Sequence, residues 1–191
     1  GWWRSTSATP SGAATMQIPW VRHRVPVYVA ASGPNALGVA GAVADGAFVN
    51  YGLQAELIAQ AEDLIRSGAK EAGRDASEVE VWQIACLDCA ETREVALDKL
   101  GSILAFVGAY ILGRDPEQRG VPSELVPAIH ELRRTYSTRR GEMDPGLVKR
   151  LGLFDYLRRR LAIAGSPDDC IEQVRAAQRA GVRRLMFTVS L

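Results

Sequence analysis

Apolar and polar positions alternate along this chain in blocks rather than singly. Residues 26–31 (PVYVAA) form a short β-prone run with no polar alternation. Such a run reads as a strand buried on both faces of a parallel sheet. Ser32-Gly33-Pro34-Asn35 punctuates it, and residues 36–44 (ALGVAGAVA) are small, apolar and helical. Asp45-Gly46 stops that helix, and Ala47-Phe48-Val49 predicts a second buried strand, ending at Asn50-Tyr51-Gly52. Leu57, Ile58, Ala61, Leu64 and Ile65 then fall on one helical face, which predicts a long helix over 54–72. A third strand is expected over 79–87 and a helix over 91–109. From 110 to about 151 the pattern turns polar and Arg-rich, broken by Pro116, Pro122, Pro127 and Pro145. It predicts one helix over 123–140 and a shorter piece over 145–151. The last unit is sharper: Ser166 as N-cap, Pro167 at the first helical position and Asp168-Asp169 in the first turn. Gly181 closes that helix, and residues 184–189 (RLMFTV) predict a fourth strand.

Four strand–helix alternations imply right-handed crossovers and a parallel sheet, an α/β fold. About four βα units are the size of half an eight-stranded (β/α) barrel, and a small open parallel sheet fits the same pattern. Residues 1–24, rich in Ser, Thr, Ala, Gly and Pro, read as a loop-like lead-in. Residues 25–191 are then a partial barrel domain with a helical insertion around 110–160. The composition is that of an ordinary globular domain, 47% hydrophobic and 24% charged, which excludes a disordered tail or a disulfide-dense module. With 23 basic and 22 acidic residues, no large field draws in nucleic acid or anionic lipid. No apolar run approaches the roughly 18 residues of a membrane span, and the N-terminus lacks a charged-then-apolar leader. The expected partners are a small-molecule substrate and further copies of the chain, with neither nucleic acid nor membrane; the expected location is the cytoplasm.

The richest local chemistry is the Ser32-Gly33-Pro34 turn. A helix that begins just after a buried strand presents unpaired backbone N–H groups and the positive end of its dipole. Gly33 allows close approach and tolerates positive φ, Pro34 has no N–H to leave unpaired, and the Ser32 hydroxyl can donate to an oxyanion. Together they make a phosphate cradle. The bland alternative is an N-cap turn in which Ser32 satisfies its own helix. Asn50 ends the next strand at the same face and can hydrogen-bond a cofactor or substrate, or simply form a turn. Cys86-Leu87-Asp88-Cys89 has a redox or zinc spacing, but it lies in or at the end of a strand rather than at a helix N-terminus. Small residues filling a strand and its exit is the reading, and no metal site is expected. His23 and His130 read as surface residues. Arg133-Arg134, Arg139-Arg140 and Arg158-Arg159-Arg160 are interleaved with acids and read as a solvated helical face. Trp2, Trp3 and Trp20 read as surfaces awaiting cover. No nucleophile elbow, Walker loop or HExxH helix occurs, and no side chain stands out as general acid or base, so the catalytic residues stay unknown.

The run Val25-Pro26-Val27-Tyr28-Val29-Ala30-Ala31-Ser32-Gly33-Pro34-Asn35-Ala36-Leu37, with Ala40-Gly41 and Ala44-Asp45-Gly46 after it, resembles the luciferase-like monooxygenase superfamily. In particular it is similar to the deazaflavin-dependent branch that includes methylenetetrahydromethanopterin reductases. The segment Leu161 to Cys170, through Ala180-Gly181-Val182, resembles the end-of-chain pattern of the same family. The resemblance implies a (β/α)8 TIM barrel that binds its cofactor at the C-terminal ends of the strands, of which this chain is the C-terminal half, with the N-terminal half absent. It implies an oxidoreductase carrying out hydride transfer or monooxygenation with coenzyme F(420), or alternatively FMN. The cofactor phosphate is then expected at Ser32 and Gly33. In sugar-phosphate-using relatives the loop after Asn50 carries a Lys, and here the matching stretch ends at Leu53, which argues against a phosphorylated sugar. The alternative from another class is a non-catalytic half-barrel, an anion-binding or assembly module.

Overall fold

The computed structural model describes residues 23–136, 144 and 146–189. Its elements are β1 (Tyr28–Ala31), α1 (Pro34–Val43), β2 (Gly46–Val49), α2 (Ala55–Glu71), β3 (Glu80–Cys89) and α3 (Arg93–Ile111). Then come α4 (Val126–Thr135), α5 (Leu147–Arg150), α6 (Phe154–Leu161), β4 (Ala162–Gly165), α7 (Pro167–Arg179) and β5 (Leu185–Val189). All pairings in the sheet are parallel, as the alternation predicts. Trp2, Trp3, Trp20, Arg139 and Arg140 lie outside the described residues.

The sheet has five strands, one more than the pattern predicts. The missed strand is β4, Ala-Ile-Ala-Gly, which is fully buried and too poor in β-branched residues to stand out. Gln173 on α7 holds it: its carboxamide donates to the Ala164 carbonyl at 2.9 Å and accepts from the Ala164 N–H at 3.2 Å. The register fixes where β4 lies. β4 pairs with Cys86–Cys89 of β3, and β5 pairs with Gln83–Leu87, so Cys86 and Leu87 meet both. Two strands cannot share one edge at the same residues, so β4 and β5 flank β3 on opposite sides. Gln83 likewise meets both β2 and β5, which puts β2 and β4 end to end along one edge of β3. The backbone bond from Leu53 N–H to Arg160 C=O (2.9 Å) closes that junction.

Two large apolar clusters cover this sheet, and a third, smaller one joins Ala85, Ile163 and Cys170. Leu37, Ala40, Tyr51, Leu57, Ala61 and Ile65 join α1 and α2 to β1 and β2. Leu100, Leu104, Ile129, Leu132, Leu153, Leu157 and Leu161 join α3 to the helices that follow it. The α1–α2 contact is nearly backbone on backbone. A Cβ at Gly41 would lie 1.9 Å from the Ile65 carbonyl oxygen, and one at Gly68 would lie 2.0 Å from the Gly38 carbonyl oxygen. Small residues in ALGVAGAVA therefore do more than favour a helix; they set the distance between two crossovers. Arg74 ties the same corner, donating to the carbonyls of Gly41 (3.0 Å) and Ala44 (2.9 Å) at the C-terminal end of α1.

α7 starts as its sequence predicts. Ser166 accepts from the Asp169 N–H and Asp169 accepts from the Ser166 N–H, a complete capping box. The Ser166 N–H, and after it the Ser166 hydroxyl, donate to the Asp169 carboxyl and hold it below the usual carboxylate range. The Cys86–Cys89 pair is split by the strand: three residues apart they face opposite sides, Cys86 buried and Cys89 exposed. Burial pushes the Cys86 thiol up to about 12, so at neutral pH it is a small apolar filler.

The two helical glycines of α1 give a paired prediction. Gly41→Ala forces two backbones apart and is expected to destabilise the protein by about 3 kcal/mol through overpacking. Gly38→Ala places its Cβ in open space and is expected to stabilise by about 0.5–1 kcal/mol through helix propensity. Thermal melts of the two variants should move in opposite directions; equal shifts would contradict the close crossing.

Candidate functional site

The C-terminal ends of β1 and β2 lie side by side, because Tyr28–Ala31 and Gly46–Val49 pair in register. Ser32 leaves β1 and Asn50 leaves β2, and the Asn50 N–H donates to the Ala31 carbonyl at 2.9 Å. The two predicted site segments are thus brought to one face, as the βα pattern requires. Asn50 is half-buried, its backbone is not in the left-handed region, and its carboxamide has no hydrogen-bond partner among the described residues.

At Ser32-Gly33-Pro34 the structure decides against the N-cap alternative for Ser32 and shows which property of glycine is used. The N-cap of α1 is Gly33, with Pro34 at the first helical position, and no side chain caps the helix. Ser32 therefore precedes the cap and is not spent on its own helix. Gly33 has φ −162°, ordinary extended backbone, so the turn does not require a positive φ. What glycine supplies here is space. The first intrahelical bond runs from Leu37 N–H to Gly33 C=O (3.0 Å), which leaves the Asn35 and Ala36 N–H groups without intrahelical partners.

Arg119 occupies that space, and sequence reasoning missed it. A Cβ on Gly33 would lie 2.7 Å from Arg119 Nη1. Arg119 Nη1 donates to the Ser32 carbonyl and reaches the Ser32 hydroxyl at 3.5 Å. Nε donates to the Arg114 carbonyl at 2.7 Å. The residue sits in a tight loop: a 3-10 turn over Glu117–Arg119 ends at Gly120 (φ 65°), and Val121 N–H returns to Pro116 C=O at 3.1 Å. Desolvation lowers the Arg119 pKa from its ordinary value, with the nearby Asp115 opposing. A guanidinium is still charged at neutral pH after such a shift. The turn is therefore cationic by side chain as well as by helix dipole.

Arg160 fixes the loop that carries Arg119. The expectation of a solvated Arg158–Arg160 face fails at this residue, which is fully buried. Nε and Nη2 donate to the Tyr51 carbonyl at 3.1 and 2.8 Å, Nη1 donates to Gly120 C=O at 3.2 Å and to the Tyr156 hydroxyl, and Nη2 donates to Arg119 C=O. Tyr51 and Tyr156 also present their rings, 5.7 and 5.8 Å from the guanidinium carbon. The helical pattern of FDYLRRRL puts Leu157, Arg160 and Leu161 on the buried face, a signal available in the spacing. By contrast, Arg159 is exposed and the exposed Arg134 pairs with Glu131 at 2.7 Å, as the solvated-face reading predicts, whereas Arg158 pairs with Asp155 at 3.2 Å from a mostly buried position. His23 and His130 are exposed, also as read.

Next to Ser32 and Arg119 opens a cavity of about 450 Å3. It carries Arg114, Arg133, Tyr110 and Tyr136 on its walls, side chains from α3, α4 and the loop between them. A cleft of similar size on the opposite side is lined by Val79, Val81 and residues 181–184, at the N-terminal ends of β3 and β5. Parallel α/β sheets and barrels bind ligands at the C-terminal ends of their strands, which favours the arginine-lined cavity.

A parallel sheet whose strands run into helices at one face defines the chain as an α/β protein of the class that places its ligands at the C-terminal ends of the strands. The family profile described as luciferase-like monooxygenase matches residues 1–184, and the chain belongs to that family. It is 27% identical over 167 residues to a 5,10-methylenetetrahydromethanopterin reductase of Methanopyrus kandleri, covering 85% of this chain and 44% of the relative. It is 28% identical over 166 residues to the protein of the same name from Methanolobus tindarius, covering 85% and 47%. Among solved structures, the coenzyme F(420)-dependent tetrahydromethanopterin reductase of Methanopyrus kandleri superposes with a TM-score of 0.59 at 25% identity, over 87% of this chain and 45% of that one. An F(420)-dependent secondary alcohol dehydrogenase superposes with a TM-score of 0.58 at 16% identity, a likeness of fold covering 88% of this chain and 44% of the other. The chain thus spans about half the length of the relatives it matches, in the βα units of a barrel.

The hold of Arg160 on the loop is open to test by substitution. Arg160→Met strands the buried carbonyls of Tyr51 and Arg119, and about 1–3 kcal/mol for each unsatisfied group gives a total loss of about 3 kcal/mol or more. Arg160→Lys keeps the charge but cannot span Tyr51, Arg119 and Gly120 with one ammonium, so it is expected to be nearly as damaging. A lysine variant that melts like the parent would show that the planar fork is not what holds the loop.

Proposed function

We propose that this chain is the part of a luciferase-like oxidoreductase that seats the phosphate of a deazaflavin, coenzyme F(420), at the start of α1. The observation that carries the reading is that the Asn35 and Ala36 N–H groups without intrahelical partners, the Ser32 hydroxyl and the Arg119 guanidinium all lie at the start of α1, with Arg119 over Gly33. Such a donor set fits an oxyanion: backbone N–H groups and a guanidinium give it short, charge-assisted bonds in a partly desolvated place. The similarity to coenzyme F(420)-dependent reductases supports the deazaflavin over FMN, whose single phosphate the same cradle would also accept.

In this reading Ser32, Gly33 and Pro34 shape the cradle, and Asn50 offers an unpaired carboxamide from the neighbouring strand end. The bound cofactor supplies hydride chemistry, and the protein supplies its position and shields it from water. The substrate is a small molecule. Among the described residues no helix is long and apolar enough to cross a membrane, and the reading takes the protein to be cytoplasmic, with no nucleic acid as partner. A homo-oligomer is supported by β1 and β5, each paired on one edge only, and by the exposed Met186, Phe187 and Val189 of β5. Size-exclusion chromatography of the chain is expected to show self-association, and a sharp monomer peak with a cooperative melt would contradict it.

Two substitutions test the cradle. Gly33→Val is tolerated by the extended backbone, but its Cβ would lie 2.7 Å from Arg119 Nη1 and drives that guanidinium off the start of α1. The group displaced is the end of a flexible side chain, so the melting temperature is expected to fall only slightly while cofactor affinity falls by well over tenfold. Ser32→Ala removes one hydroxyl and is expected to weaken binding by about tenfold or less, on the order of 1 kcal/mol. Melting temperature and cofactor dissociation constant, measured on both variants, decide the matter. Parental affinity in a folded Gly33→Val protein would place the phosphate elsewhere.

A further inference from the structure

The cradle needs one cation, and the structure gathers three. Arg114, Arg119 and Arg133 line the same 450 Å3 cavity with Ser32, Tyr110 and Tyr136. Arg114 and Arg133 make no ion pair among the described residues, whereas Arg134, one position along α4, pairs with Glu131. The carboxylate felt at Arg119 is that of Asp115, and it makes no ion pair within 4 Å among the described residues. Three guanidinium groups around one opening repel each other, and proteins usually relieve that repulsion with interleaved acids. Here Glu131 is turned to Arg134, which leaves Asp115 as the acid acting on Arg119.

The remaining wall is aromatic. Tyr110 and Tyr136 meet edge-on with ring centroids 6.1 Å apart, and Phe106 packs against both at 4.9 and 6.1 Å. Phe106 and Tyr110 are exposed all the same. The Tyr136 hydroxyl is held protonated above its ordinary range by burial, so it is a hydrogen-bond donor at neutral pH. A basin of three guanidinium groups that make no ion pair among the described residues, beside a phenol donor and bare ring faces, has the chemistry of an oxyanion site, continuous with the start of α1.

We propose that Arg114 and Arg133 form a second anion subsite, so that the cavity takes a ligand whose negative charge extends beyond one phosphoryl group. The first anion sits on the start of α1 and Arg119, and the next lies between Arg114 and Arg133 against Tyr136. The placement of the first anion rests on the cradle reading above; the second subsite stands on its own geometry. The two arginines then set specificity, separating ligands with one anionic group from ligands with two or more.

Calorimetric titration of the chain at low salt with orthophosphate and with pyrophosphate tests this. Pyrophosphate is expected to bind at least about tenfold more tightly than orthophosphate, because a second charge-assisted contact is gained. Arg114→Gln and Arg133→Gln should each remove most of that advantage while leaving orthophosphate affinity and the melting temperature unchanged. Arg175→Gln, an exposed arginine on α7, should change neither. Loss of orthophosphate binding in Gly33→Val, with the arginine-dependent pyrophosphate response retained, would leave the second subsite standing and move only the first anion. If orthophosphate binding fails in the parent while pyrophosphate still depends on Arg114 and Arg133, the cradle falls and the subsite survives. If pyrophosphate has no advantage, or if Arg175→Gln weakens it as much as the cavity variants do, the subsite is overturned.

Discussion

A single buried guanidinium organises the C-terminal face of this sheet. Arg160 spends its donors on the carbonyls of Tyr51, Arg119 and Gly120 and on the Tyr156 hydroxyl. Burying a cation costs several kcal/mol unless its donors are matched, and a planar five-donor fork matches a ring of carbonyls better than any other side chain. The consequence is topological. Tyr51 follows β2, Arg119 and Gly120 belong to the loop after α3, and Arg160 ends α6. Three segments 40 or more residues apart in sequence are therefore held to one charge, with the rings of Tyr51 and Tyr156 beside it.

That constraint decides where Arg119 points. Its carbonyl is captured by Arg160 and its Nε by the Arg114 carbonyl, so the guanidinium is left aimed across the start of α1 at Ser32. The sheet supplies the other half of the site, because β1 and β2 end in register and present Ser32 and Asn50 together. Gln83 reinforces this from β3, donating to the Gly52 carbonyl at 2.7 Å and pinning the loop that carries Tyr51. The helices after α3 thus connect to the site through backbone carbonyls, which are insensitive to side-chain identity at the accepting positions.

Much of the sheet was legible in the sequence because its determinants are local. Apolar runs bounded by Gly, Pro and Asp gave β1, β2, β3 and β5, and Ser166-Pro167-Asp168-Asp169 gave the start of α7 with its capping box. β4 was not legible as a strand, because Ala162–Gly165 depends on a partner strand and on Gln173 rather than on its own propensity. The Ser32-Gly33-Pro34 turn was found from its strand–helix junction, but the left-handed backbone allowed for Gly33 is absent. Arg119 was invisible because it reaches Ser32 across 87 positions from a polar, Pro-broken loop. Arg160 was readable in principle, since it shares a helical face with Leu157 and Leu161. The run of three arginines concealed that periodicity.

The electrostatic logic of the site follows from how each arginine is satisfied. A guanidinium paired with a carboxylate is neutralised, and its field beyond the pair is small. Arg160 and Arg119 are instead satisfied by carbonyls, which stabilise the charge by their dipoles without cancelling it. Carbonyl solvation therefore preserves net positive potential at the strand ends, where the start of α1 adds its own. An anion arriving there meets donors already fixed in place and partly stripped of water, so little reorganisation is needed to bind it. Arg114, Arg119 and Arg133 line one cavity and make no ion pair among the described residues, so the positive potential at the start of α1 is extended rather than cancelled along this face. Charge left available at the strand ends, instead of being neutralised by carboxylates, is the physical reason to read this face as a binding site rather than as part of the scaffold.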